Sequence, residues 1–179
     1  MSLIEVLFGQ PKPVEPKPER PQEIAAQEAP HTVYAMVSGT LIPMPELPDP
    51  IFASGAMGPT VGIKPSDGTV YSPVTGTVTL TTKTLHAVGL TSDDGVEVLI
   101  HLGVDTVDLR GVAFTGFVSE GQHVRAGEPL VVCDLDKIAQ AGYSDVAIVV
   151  VTNANMFDEV SCVSAGEVHA GEPVMVARA

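Results

Sequence analysis

The segment Gly95–Val107, GVEVLIHLGVDTV, carries one imidazole inside an aliphatic run, with a glycine two residues later. A second histidine stands upstream in TKTLHAVGL, and the turn-forming SDDG lies between the two. Neutral imidazole is a good nucleophile near pH 7, because one ring nitrogen keeps its lone pair. A second imidazole beside it can donate to an anion without quenching that nucleophile. Paired histidines on a hairpin therefore suit transfer of an anionic group, and they also offer two nitrogens to a metal.

Alternation along β-strands decides which way His101 points. Val96, Val98, Ile100, Leu102 and Val104 share one face, which is wholly apolar and predicts core. Glu97, Leu99, His101, Gly103 and Asp105 share the other. His101 is expected to face away from the main core, over a shallow floor made by Leu99 and the side-chain gap at Gly103. Its position relative to His86 depends on the turn. With SDDG as a four-residue loop, Thr91 pairs with Val96, so His86 falls opposite His101 and Thr84 opposite Gly103. Directly opposed Cβ atoms are about 4.5–5.5 Å apart. A two-residue loop leaves the histidines diagonal on one face, and a three-residue loop with Gly95 as a bulge separates them. The pattern of the first strand is compatible with each.

The elements that hold such a hairpin must be mostly strands. The hydrophobic share is 45%, yet only 4% of residues are aromatic and there is no Trp, so the core is aliphatic. β-Branched residues punctuated by 17 Gly and 15 Pro predict short strands joined by turns, an all-β sandwich or barrel. One stretch, DLDKIAQAG, predicts a short helix capped by Asp134 and followed by Gly142. Two related stretches, SEGQHVRAGEPLVV and SAGEVHAGEPVMVA, repeat a turn-to-strand unit that resembles half of a barrel-sandwich hybrid fold. Residues 1–9 form a short apolar segment, able at most to touch a membrane surface weakly. Residues 10–31 alternate Pro with Lys and Glu and read as a flexible, solvated linker, which leaves 32–179 as the folded domain.

The net charge of −13 excludes non-specific nucleic-acid binding, which runs on Lys and Arg. Cys133 and Cys162 lack CxxC spacing and predict reduced, buried thiols rather than a disulfide framework. No apolar run reaches membrane-spanning length, and the start lacks a basic region with a cleavage site. A cytoplasmic protein is expected.

Gly95, His101, Gly103, Thr106 and Val107 fill the places of a signature, and GVEVLIHLGVDTV thereby resembles the active-site motif of the glucose-type IIA components of the bacterial sugar phosphotransferase system. LPDPIFASGAMG, GIKPSDGTVYSPVTGTV, HAVGLTSDDG and EGQHVRAGEPL resemble successive segments of the same family, so the likeness runs from about Thr32 to Ala179. It implies an antiparallel β-sandwich of the barrel-sandwich hybrid type, with one or two short helices, acting as a phosphocarrier. By that resemblance His101 accepts a phosphoryl group on Nε2 from the phosphohistidine carrier protein HPr and passes it to a cysteine of a IIB domain. His86 would hydrogen-bond the phosphate, and Thr84 would support His86. Asp49 and Asp105 would meet arginines on partner proteins, and Ile51, Phe52, Leu99, Gly103 and Val107 would lie in the docking surface. Regulatory target proteins are further partners of the family. No cofactor and no resident metal are implied.

Gly89 and Thr82 stand where the family pattern suggests bulkier apolar residues, and Pro50 follows Asp49. Two other readings compete. A lysostaphin-type zinc peptidase shares the hybrid architecture, but the chain has no HxH pair and catalytic zinc usually takes three protein ligands. Two histidines would hold zinc only with a partner's carboxylate added. A biotinyl or lipoyl carrier would use Lys83, whose neighbours differ from the usual hairpin tips.

Overall fold

The computed structural model describes residues 15–179. The apolar segment 1–9 and the first residues of the proline-rich stretch lie outside them. Fourteen strands follow one another: β1 (Thr32–Tyr34), β2 (Gly39–Ile42), β3 (Thr60–Pro65), β4 (Thr69–Tyr71), β5 (Gly76–Thr81), β6 (Ala87–Ser92), β7 (Glu97–Val104), β8 (Phe114–Gly116), β9 (His123–Val124), β10 (Pro129–Cys133), β11 (Ser144–Val151), β12 (Glu159–Cys162), β13 (Glu167–Val168) and β14 (Pro173–Arg178). Two short helices interrupt them, α1 (Pro50–Ala53) and α2 (Leu135–Gln140).

An eight-stranded sheet runs β13-β2-β3-β11-β7-β6-β5-β9, and two three-stranded sheets, β1-β14-β12 and β4-β10-β8, complete the sandwich. All pairings between the described strands are antiparallel. The expected all-β sandwich with two short helices is what the chain forms.

The main core lies on one face of the large sheet. Val88, Leu90, Val98, Ile100, Leu102, Ala147 and Val149 are all buried there. A second, smaller cluster covers the opposite face at β11, where Leu47, Phe52, Val146, Ile148 and Val150 pack together with Leu99 at its edge. Strand β11 is thus apolar on both faces, which explains the unbroken run VAIVVV. Its Ile148 pairs with His101 and its Val150 with Leu99, so the small cluster sits directly beside the β7 histidine.

Helix α1 forms from an Asp-Pro start. The Asp49 carboxylate accepts from the N–H groups of Ile51 at 2.8 Å and Phe52 at 3.4 Å, and Pro50 occupies the first helical position, where its missing donor costs nothing. Helix α2 begins as the sequence predicts, with Asp134 accepting from Lys137 N–H at 3.0 Å and Gly142 beyond the end at φ +82°.

The described part of the proline-rich stretch has no regular secondary structure before the β1 turn and is mostly exposed. It is nevertheless fastened to the domain. Ile24 N–H donates to Gly127 O at 3.0 Å, Tyr34 Oη donates to Gln27 O at 2.7 Å, and Arg125 pairs with Glu23 at 3.1 Å. Lys137 pairs with Glu15 at the far end. Residues 15–30 lie along the domain as a strap, held by main-chain bonds that the prolines between them leave free.

Candidate functional site

Strand β7 presents His101 half-buried, on the face opposite Ile100 and Leu102, as its alternation requires. Its Nδ1 lies 2.8 Å from the carbonyl oxygen of Gly103. A carbonyl only accepts, so Nδ1 carries the proton and Nε2 keeps its lone pair. Gly103 makes this possible. Its φ of +77° turns the carbonyl toward the ring, and a Cβ there would sit 2.3 Å from Thr106 Cγ2 and 2.6 Å from Ser144 O. Thr106 is fully buried beneath it and donates to Leu102 O at 2.5 Å. Gly103 is itself buried. It acts through its backbone, and the access gap inferred from its missing side chain is filled by Thr106.

The hairpin register differs from the four-residue loop. Thr91 pairs with Glu97 rather than Val96, and Ala87 rather than His86 stands opposite His101. This is the three-residue loop, Asp93 to Gly95 with Gly95 as the bulge, and it is closed by Ser92. Its N–H donates to Val96 O at 2.8 Å and its Oγ accepts from Val96 N–H at 2.7 Å, while Gly95 takes φ +92°. Thr84 consequently does not face Gly103 in the ladder. The histidines meet all the same, because His86 lies just outside β6. Its carbonyl accepts from Leu102 N–H at 2.7 Å, and Leu85 before it adopts φ +59°, so its ring escapes the strand's alternation. The two imidazole centroids are 5.3 Å apart, with the planes at 77°.

Nδ1 of His86 faces two hydroxyls, Thr84 Oγ1 at 2.5 Å and Thr82 Oγ1 at 3.3 Å. Burial pushes the His86 pKa below the usual imidazole value, and the neighbouring His101 pushes it the same way. His86 is therefore neutral at pH 7. Phe52 closes another side of the site, its ring 5.3 Å from His101 and tilted by 53°.

The surrounding residues divide into outer and inner sets. Ile51 and Val107 are exposed by 59% and 48%, and Leu99 is half-buried. Phe52, expected on the docking surface, is buried in the small cluster instead. Asp49 caps α1 and stays partly accessible, whereas Asp105 is exposed at φ +58° with no capping bond from its side chain. Among the described residues no group of three His, Cys, Asp or Glu side chains is placed to hold a metal ion. A cleft of about 530 Å³, lined by Ile42, Met44, Pro59 and Val163 among others, contains neither histidine.

Three contributors escape a reading by residue type. The Gly103 carbonyl leaves no side-chain signal. Thr106 looks like one more β-former. Thr82 has a signal in its i, i+4 spacing to His86 across a turn, but as a polar residue where apolar surface was expected it reads as a departure.

Residues 31–157 match the family model described as phosphoenolpyruvate-dependent sugar phosphotransferase system, EIIA 1. The chain is 44% identical over 125 residues to the PTS system beta-glucoside-specific EIIBCA component of Bacillus subtilis (strain 168). That match takes in 70% of this chain and 20% of the relative, so the chain spans about a fifth of that longer protein. Among solved structures it is similar to the glucose permease IIA from Mycoplasma capricolum, with a TM-score of 0.73 and 34% identity over 81% of this chain and 94% of that one. None of these matches is to a peptidase or to a biotinyl or lipoyl carrier.

Proposed function

We propose, from the premise that this chain belongs to the EIIA 1 family of the phosphoenolpyruvate-dependent sugar phosphotransferase system, that it is a phosphocarrier working through His101. The observation that carries this reading is the bond from His101 Nδ1 to Gly103 O, which leaves Nε2 as the ring's free nucleophile. In the first step Nε2 attacks the phosphorus of a phosphohistidine on the carrier protein HPr. The new Nε2–P bond forms as the donor's N–P bond breaks, and the donor imidazole recovers its lone pair. In the second step a cysteine thiolate of a IIB domain attacks the same phosphorus, and His101 leaves as neutral imidazole.

Such transfer depends on in-line positioning and charge stabilisation more than on new covalent chemistry. A His86 whose Nδ1 accepts from a threonine hydroxyl carries its proton on Nε2, where it can donate to phosphate oxygens. Because His86 is neutral, that donor adds no charge that would hold the phosphoryl group too tightly. Asp49 and Asp105 fit partner arginines rather than phosphate, which they repel. Ile51, Leu99 and Val107 supply the apolar ground on which either partner sits. Residues 32–179 are the working IIA domain and 10–31 its connecting stretch. No described helix is long and apolar enough to cross a membrane; the cytoplasmic site of action belongs to the phosphocarrier reading.

The test is incubation with phosphoenolpyruvate, enzyme I and HPr, followed by mapping of acid-labile phosphate. The label is expected on His101, and His101→Ala should take up none. A His101→Ala protein that still acquires acid-labile phosphate from the carrier overturns the assignment.

A further inference from the structure

Thr82 lies at the start of the turn that delivers His86, and its hydroxyl is held from the main chain. Thr82 N–H donates to Ala87 O at 3.2 Å, closing the turn. Ala87 N–H in return donates to Thr82 Oγ1 at 3.2 Å. The same oxygen lies 3.3 Å from Ala87 O and 3.3 Å from His86 Nδ1. The Thr82 hydroxyl proton has two acceptors at equal distance, Ala87 O, which already accepts from the Thr82 amide, and Nδ1 of His86. Thr84 approaches that nitrogen more closely, at 2.5 Å, but no main-chain bond anchors its hydroxyl.

We propose that Thr82 is a positioning residue that backs Thr84, its anchored hydroxyl holding a second donor toward Nδ1 of His86 so that the imidazole keeps its proton on Nε2. The proposal rests on the phosphocarrier reading only for its consequence in transfer. The tautomer itself is a property of the unphosphorylated protein. Two donors converging on one nitrogen disfavour protonation there, and either one alone is enough to fix the ring.

The experiment is ¹⁵N NMR of imidazole-labelled full-length protein at pH 7.5. In wild type His86 should show the Nε2–H pattern, and in Thr84→Val that pattern should persist. In the Thr82→Val/Thr84→Val double variant it should give way to a mixture of tautomers, and Thr82→Ser/Thr84→Val should restore it. Valine keeps the threonine shape and the bond from Thr82 N–H to Ala87 O but loses the one from Ala87 N–H to Oγ1, and Thr82→Ser is the control that retains it. If the double variant does not fold, Thr82→Val alone remains decisive, because its Nδ1 resonance should shift with one of its two donors gone while the Nε2–H pattern persists through Thr84. Transfer from phosphorylated His101 to a IIB domain should fall about tenfold further in the double variant than in Thr84→Val, in line with one lost hydrogen bond. An unchanged Nδ1 resonance in Thr82→Val overturns the proposal. So does an Nε2–H pattern undiminished in the double variant, or one abolished outright by Thr84→Val. If His101 proves not to carry phosphate, the functional reading fails while these spectra still decide the role of Thr82.

Discussion

Ala87 stands directly opposite His101 across the β6–β7 ladder, and the small methyl leaves the space above it open. His86 enters that space from one residue outside the ladder, after the left-handed turn at Leu85. The working imidazole is thus fixed by a strand and its helper by a turn. The two can be perturbed separately, and they belong to different steps of the proposed cycle.

His86→Gln separates those steps. Acceptance from HPr should stay within a few fold of wild type, since Nδ1 of His101 keeps its Gly103 bond and Nε2 stays free. Onward transfer to a IIB cysteine should drop on the order of 10²-fold, as loss of a positioned donor to a transferring group does. Rapid-quench measurement of each half-reaction checks this, and equal losses in both would count against a division of labour.

Acid should expose His86 as well. Its pKa is lowered in the folded protein, so below about 6.5 the unfolded chain binds a proton that the folded chain resists. The stability this contributes is complete above that pH and is lost as pH falls through the window toward the lower folded pKa. The melting temperature should therefore decline more between pH 7.5 and 5 in wild type than in His86→Gln, and an NMR titration should place the His86 midpoint below the usual imidazole value.

Gly103→Ala tests the backbone beneath the nucleophile. A left-handed φ costs a non-glycine residue ~1–3 kcal/mol, and the new methyl would strike Thr106 Cγ2 and Ser144 O. Urea unfolding should show at least that loss. The ¹⁵N spectrum of His101 should also lose its clean Nδ1–H pattern, because the carbonyl must shift.

Asp49 carries two roles that substitution can split. Asn is as good a helix cap as Asp, so Asp49→Asn should keep stability within about 0.5 kcal/mol, whereas Asp49→Ala should cost about 0.5–2 kcal/mol. Both remove the charge offered to a partner arginine. If that charge matters, both should slow association with HPr, most visibly at low salt.

What the sequence made legible follows its patterning. Val96, Val98, Ile100 and Leu102 recur at every second position through β7, so the outward face of His101 could be read directly. Strand β6 could not be read that way, because Ala87, Val88, Gly89 and Leu90 are all buried and leave no parity to set a register. The three-residue loop is fixed by the bonds between Ser92 and Val96 and by Gly95 at φ +92°, which the composition of SDDG does not by itself choose over the other loop lengths. Helix α1 is four residues long, too short for periodicity, and only its Asp-Pro start announces it. Phe52 reads as surface until α1 turns it inward onto the Leu47 and Ile148 cluster. The strap at 15–30 is legible as irregular but not as attached, since most of its fastenings join residues about a hundred positions apart, through one main-chain bond and two ion pairs.

The acceptor that orients His101 belongs to the main chain. An alanine scan removes side chains, and none of its substitutions deletes the Gly103 carbonyl. The group that readies the nucleophile would thus be reached by such a survey only indirectly, through the strain that Gly103→Ala adds. A backbone ester at the Gly103–Val104 linkage would weaken that carbonyl as an acceptor while leaving every side chain in place. The shape of this site is kept by peptide geometry, so chains with quite different side chains around it can hold the same proton in the same place.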